Sequence, residues 1–239
     1  MDDMNPAGQA HDAPGEAPPL PAFPMRFADV FFNPGRVTAS LRERPAWGLA
    51  MVVGILLVTV MVALIPAELW QEMQRQAMLR SGRDIGQIPE AAQRISQVMR
   101  YVGPAIGIPI SEFIFAGIVT LVFTFILGDE GRYRQYLAMV SHAWLITLTV
   151  ELALVPLKIA QGNPQATVSV GTFFFFLPEG YLLRVFNLLA LSKIWTSLVL
   201  AAGVHAIDPK RKYATAATVL IMLNVASALI FGIFPSFGG

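Results

Sequence analysis

Residues 188–203 read LLALSKIWTSLVLAAG. Leucine, isoleucine, valine and alanine dominate the stretch, and one lysine, Lys193, sits inside it. A run this apolar reads as the middle of a membrane span. A lysine at the centre of a bilayer costs roughly 2.5 kcal/mol or more. Something elsewhere in the chain has to hold that charge or use it.

The rest of the chain is of the same kind. Of 239 residues, 55% are hydrophobic and only 14% charged, against about 25% charged in soluble domains. The mean hydropathy is +0.57. This composition implies an all-α, polytopic membrane protein. A net charge of +1 gives no electrostatic footprint for nucleic acid. The absence of cysteine excludes disulfides, thiolate metal sites and cysteine nucleophiles.

A bilayer core of about 30 Å takes about 20 apolar residues of helix. Five segments meet that length, at about 46–67, 104–127, 136–159, 184–206 and 214–234. They form a membrane domain over 46–239. Residues 1–25 are rich in Pro, Ala and Asp and read as a disordered cytosolic tail. No cleavable signal peptide is expected, because the first apolar run starts near Trp47 and is long enough to span.

The linkers differ in kind. GDEGRYRQ (128–135) and DPKRKY (208–213) are short, charged joints between antiparallel helices. The linker 68–103 is longer, and its Ile95, Val98, Met99 and Val102 recur at helical spacing beside Arg94 and Arg100. That pattern predicts an amphipathic helix on the membrane surface. Residues 26–45 combine Phe27, Val30 and Phe31 with Arg36, Arg42 and Arg44, and predict a second, juxtamembrane interfacial helix. Four phenylalanines, Phe173 to Phe176, precede Pro178. The run is too short to span and reads as a re-entrant or interfacial segment, or as a hydrophobic loop packed on the bundle.

Basic residues near the spans set the orientation. The short loops with Arg132, Arg134 and Lys210 to Lys212 favour a cytoplasmic N-terminus in a bacterial inner membrane.

Three ionisable residues fall inside the spans: Glu112, Glu151 and Lys193. From the span limits and a rise of 1.5 Å per residue, all three lie about 12 to 14 Å deep. Lys193 is expected to pair with Glu151, with Glu112 as the second candidate. The cluster is then either a clamp between three helices or a relay for protons or ions, since intramembrane ionisable groups default to function. A clamp predicts a dry contact around Lys193. A transporter predicts a cavity that reaches it from one side. His142, Asn187 and Asn224 are candidates for polar contacts between helices.

The histidines have no ligand set around them, so no metal is expected, and no cofactor motif is present. The H-E-x-x-H, G-x-S-x-G and Walker A sequences are missing. The expectation is a protein that is not an enzyme.

Three stretches carry a family resemblance. FADVFFNPGRVTASLRERPAW (27–47) pairs Asn33-Pro34 with Arg44-Pro45 ahead of the first span. GRYRQYLAMVSHAWLITLTVEL (131–152) leads into the third span. LLRVFNLLALSKIWTSLVLAAGVHAIDPKRKYATAATVLIML (182–223) holds the fourth and fifth, with Ile194-Trp195, Gly203 and the basic loop. In order and spacing these stretches resemble the Yip1 family. Eukaryotic relatives act in vesicle traffic with Rab-type GTPases and with each other. This tail has no GTPase-docking motif, so the resemblance implies a membrane scaffold or accessory subunit without the trafficking role. Its partners would be membrane lipids and a second copy or another membrane protein. The alternative is a small transporter, channel or permease-like subunit using Glu112, Glu151 and Lys193. Lipid handling by the amphipathic helices is a third reading.

Overall fold

A computed structural model of the chain describes residues 20–80 and 90–234. The readings made of residues 1–19, 81–89 and 235–239 lie outside the described residues. Among the described residues the protein is all-helical, with one isolated antiparallel bridge between Ser169 and Ala190.

Two helices form the centre. They are α6 (Tyr133–Ala153) and α9 (Leu191–Ile207), packed side by side. Helix α6 is buried almost without a break from Tyr136 to Ile146. Small residues let the two backbones approach. A Cβ placed on Gly203 of α9 would lie 2.9 Å from Cγ of Met139 in α6. Around this pair, α3 (Gly48–Leu64) and α5 (Glu90–Thr120) pack on α6, and α10 (Tyr213–Phe231) packs on α9.

Arg94–Ile126, Tyr133–Ala153 and Tyr213–Phe231 are long and apolar enough to cross a membrane. Helix α3 and α4 (Ala67–Arg80) make a fourth candidate, bent by 90°. The bend follows from Pro66, which forces Ile65 out of the helix into extended backbone. Helix α9 is apolar, but its 17 residues span only about 25 Å.

The described part of the 68–103 linker is not a separate surface helix after Arg94. Ile95, Val98 and Met99 are exposed on α5, which runs on unbroken through Pro104 and Pro109 into the expected second span. It ends in a π-helical turn, Leu121–Ile126.

The amino-terminal reading also changes. Helix α1 (Phe23–Phe32) begins inside the segment read as tail. With α2 (Pro34–Glu43) it forms a hairpin, turned at Asn33, whose side chain accepts from the Arg36 amide. The apolar face that predicted a lipid-surface helix packs on protein instead. Val30, Val37 and Leu41 are fully buried in the core, with α2 against α9 and α1 against α6. Arg36 and Arg42 stay exposed, beside Asp29 and Glu43 respectively, and Arg44 is exposed as well.

Arg26 turns inward. Its Nε donates to the Pro21 carbonyl at 3.1 Å, and its Nη1 lies 3.1 Å from His142 Nε2. His142 Nδ1 is 2.9 Å from the Ala138 carbonyl. That bond makes Nδ1 the donor and leaves Nε2 to accept from the guanidinium.

The two short charged joints meet at one end of the bundle. Arg211 donates to Asp129 at 2.6 Å and to the Leu127 carbonyl at 2.9 Å. Lys210 reaches Glu130 at 2.8 Å. Gln135 donates to the Arg42 carbonyl, so the end of α2 lies at this basic end too.

Replacing Arg211 by Met leaves the buried Asp129 carboxylate uncompensated. This change is expected to cost about 2–4 kcal/mol. Lys210→Met, which breaks an exposed pair, costs under about 1 kcal/mol. Thermal unfolding of the purified variants checks the ranking. Burial pushes the Asp208 carboxyl up, but the Lys210 and Glu130 amides and the nearby Lys210 and Arg211 charges outweigh it and hold it below its usual range. A carboxyl lowered in this way stabilises the fold above about pH 4, and the contribution is lost as the pH falls through the folded value. The joint is therefore expected to loosen in acid.

Candidate functional site

At the opposite end of the bundle the helices break. The third span was expected to continue to Ile159. Helix α6 stops at Ala153, and Pro156 starts a separate short helix, α7 (Val155–Ala160). The fourth span was expected to begin at Arg184. Residues 181–207 instead split into α8 (Tyr181–Leu188) and α9, parted at Leu189 and Ala190. There the Leu189 carbonyl accepts from the Val170 amide, and Leu191 donates to the Val168 carbonyl. Non-helical backbone at such a position needs protein or water to satisfy it, and the 161–180 segment supplies those partners.

The breaks move the charges. Glu151 lies two residues before the end of α6, and Lys193 lies in the first turn of α9. Both lie closer to a helix end than the expected spans placed them. Their pairing differs as well. Glu151 Oε2 accepts from Lys158 Nζ at 2.8 Å, and Oε1 accepts from Thr167 Oγ1 at 2.6 Å. Lys158 Nζ also donates to the Ala166 carbonyl at 2.6 Å. One carboxylate thus pins α7 and the following loop back onto α6. The Lys158 side chain is only 3% exposed, so the pair is well shielded.

Glu112 is elsewhere. It is fully buried in α5 beside Gly54 of α3. Its Oε2 accepts from Ser141 Oγ at 2.6 Å, and its Oε1 has no hydrogen-bond partner among the described residues. The three charges do not form one cluster.

Lys193 therefore makes direct contact with neither carboxylate, although the Glu151 charge across the same cavity still attracts it. Among the described residues its Nζ has no hydrogen bond and no ion pair. Its position does not favour it either, because a cation in the first turn of a helix opposes the helix dipole. The side chain is exposed. A cavity of about 720 Å³ opens beside it, lined among others by Glu151, Lys158, Asn163, Thr167 and Phe175. A second, narrower cavity of about 320 Å³ adjoins the first, and Lys193 and Thr147 line both. A pocket of this size, with two lysines and one glutamate in its wall, suits a small anionic group.

Two of the three polar residues expected between helices fall around the same place. Asn224 Nδ2 donates to Ser197 Oγ at 2.5 Å and ties α10 to α9. Asn187 lines the larger cavity from α8, against Gly171, where any Cβ would collide with its amide. His142 lies on the hairpin side, with Arg26. Phe173, Phe175 and Phe176 are exposed, and Phe174 packs on Phe186 with ring centroids 4.9 Å apart. No group of residues suited to a metal ion occurs among the described residues.

Lys158 drew no reading from the sequence. The signal was Pro156, two residues before it, which ends the helix and lets the chain fold back. Thr167 and Arg26 carried no local signal.

Compared with known families, residues 28–233 match the model described as the Yip1 domain. No curated protein and no solved structure gives a match.

The geometry separates the two lysines. Lys158→Met strips Glu151 of its counter-charge and is expected to destabilise the fold by about 2–4 kcal/mol. Lys193→Met removes no hydrogen bond or ion pair, only the through-space attraction of Glu151, and is expected to leave stability nearly unchanged. Thermal unfolding of both variants in the same detergent is the check. Equal losses would mean that Lys193 is structural.

Proposed function

The chain belongs to the Yip1 domain family, and we propose that it is a non-enzymatic, multi-pass membrane protein that binds an anionic group at Lys193, as a small transporter or a permease-like subunit. The observation that carries this reading is Lys193 itself. It stands unpaired at the junction of two cavities while its expected partner is occupied by Lys158 and Thr167. A dry clamp would have none of these features.

In this reading the chain crosses the membrane five times, through α3, α5, α6, the broken α8–α9 pair and α10. The basic residues of the α5–α6 and α9–α10 joints and the end of α2 favour the cytoplasm for that end, in a bacterial inner membrane. The Lys193 cavity then faces outward. Neither Glu112 nor a three-charge relay is needed for binding.

A scaffold or accessory subunit is the second reading. Family membership supports it, and so does the exposed apolar face of α5 at Ile95, Val98 and Met99, which offers a contact to another copy or another membrane protein. Cross-linking in native membranes tests that face.

The binding reading is tested by the reactivity of Lys193. The full chain is placed in phosphatidylcholine nanodiscs and treated with a membrane-impermeant amine acetylating reagent, and acetylation at Lys193 is read by mass spectrometry. Lys193 should react readily. sn-Glycerol 3-phosphate or a short-chain phosphatidylglycerol should slow the reaction at least about tenfold, the protection expected from a charge-assisted contact. An unreactive Lys193 would overturn the cavity, and reaction unaffected by either anion would overturn the site. Both outcomes would return the function to the scaffold.

A further inference from the structure

The narrower cavity has a form that the binding of a free anion leaves unexplained. Its floor is α6 and α9. They are joined by Thr147 Oγ1 and Thr196 Oγ1 at 2.8 Å, and Thr196 also donates to the Ala143 carbonyl at 3.3 Å. One wall is Phe115 of α5, whose ring lies 5.8 Å from that of Trp144. The other is Asn224 and Ser227 of α10. Helix α5 packs on α3 and α6, and α10 on α9 and α8, so the two walls belong to opposite flanks of the bundle. The space between them is a groove along the side of the protein.

The groove has a direction. It starts at Lys193 and reaches Leu200, seven residues further along α9, or about 10 Å of helix rise. Its far end is apolar, with Phe115, Trp144 and Leu200 in the lining. Its near end opens at the unpaired ammonium and the larger polar cavity. Lys193 and Thr147 lie near the membrane-exit ends of their helices. Thr147 is six residues, about 9 Å, before the end of α6. Cation near the surface, polar pocket above it and apolar track below it follow the order of parts in one lipid of that leaflet.

We infer that the ligand of the Lys193 site is an anionic phospholipid that enters sideways from the bilayer, its phosphate on Lys193 and one acyl chain in the groove between α5 and α10. The inference rests on the anion-binding reading above and names its ligand. A soluble anion would satisfy Lys193 and leave the groove without an occupant. A zwitterionic lipid would bring its own cation to a site already positive. The ties beneath the groove are satisfied within the protein, since Asn224 bonds Ser197 and Thr147 bonds Thr196. The floor therefore offers a chain no unpaired hydroxyl to desolvate, and Lys193 is left as the selective contact.

The test uses the full chain in nanodiscs of phosphatidylcholine alone or mixed with phosphatidylglycerol, again reading acetylation of Lys193. Ser227 is exposed on the groove wall, so Ser227→Trp fills the track without touching the core. In the wild type, phosphatidylglycerol should protect Lys193 at least about tenfold more than phosphatidylcholine. Ser227→Trp should abolish that protection while leaving any protection by sn-glycerol 3-phosphate intact. Protection by phosphatidylglycerol that survives Ser227→Trp, or that glycerol phosphate equals, would overturn the lipid inference and keep the anion site. No protection by any anion would overturn both.

A second measurement stands if the variant fails to fold. Phosphatidylglycerol carrying a photoactivatable group on its acyl chain should label the wild type at Phe115, Trp144 and Ser227. Label spread evenly over all lipid-facing helices would overturn the inference.

Discussion

A charged carboxylate in an apolar bundle is stabilised by a cation, and the choice Glu151 makes governs the far end of this protein. It takes Lys158, seven residues on, together with the Thr167 hydroxyl. That choice requires the chain to stop being helix at Leu154 and to return, which Pro156 permits. The returning loop brings Val168 and Ser169 against the α8–α9 break, where they pair with Ala190 and Leu191. The break in turn sets Lys193 at the start of a helix without a carboxylate of its own. One ion pair thus closes a loop, satisfies a gap in a helix and leaves a second lysine available.

Between the ends, the bundle is held by shape and by few polar ties. Thr147–Thr196 and Ser197–Asn224 stitch α6 to α9 and α9 to α10. Each such tie in a membrane protein is worth under about 2 kcal/mol. Close approach contributes through Gly203 against Met139 and Gly54 against Leu148. Glu112 is the exception. It is buried where α3, α5 and α6 meet, with one oxygen on Ser141, and it takes no part in the cavity. Its place among three helices makes it a core residue rather than a ligand-facing one.

Much of this was legible in the residues. The apolar lengths marked the helices, the charged joints at 128–135 and 208–213 marked one end, and the ordered stretches around Asn33-Pro34 and Ile194-Trp195 carried the family. The failures have physical reasons. An amphipathic pattern has the same period whether its apolar face meets lipid or protein, so residues 26–45 gave no sign of packing on α6 and α9. The α8–α9 break has neither Pro nor Gly at Leu189 and Ala190. Its cause is Val168 and Ser169, some twenty residues away. Hydropathy also cannot weigh Lys158 against Lys193 as the partner of Glu151, because that preference depends on where α6 ends. The candidate cavity is made of such long-range choices, and so it was the least legible part.

The amino-terminal hairpin has a consequence for how the protein is made. Arg26 contacts His142, 116 residues later, and Phe31 meets the edge of Trp195 with ring centroids 5.7 Å apart. The first helices to leave the ribosome therefore wait for nearly the last ones. At roughly 5–20 residues per second the wait is on the order of ten seconds. During it the apolar face of Val30, Val37 and Leu41 has no bundle to bury it. The final burial of this amphipathic face thus depends on residues far along the chain, which is why its local pattern reads as that of a surface helix.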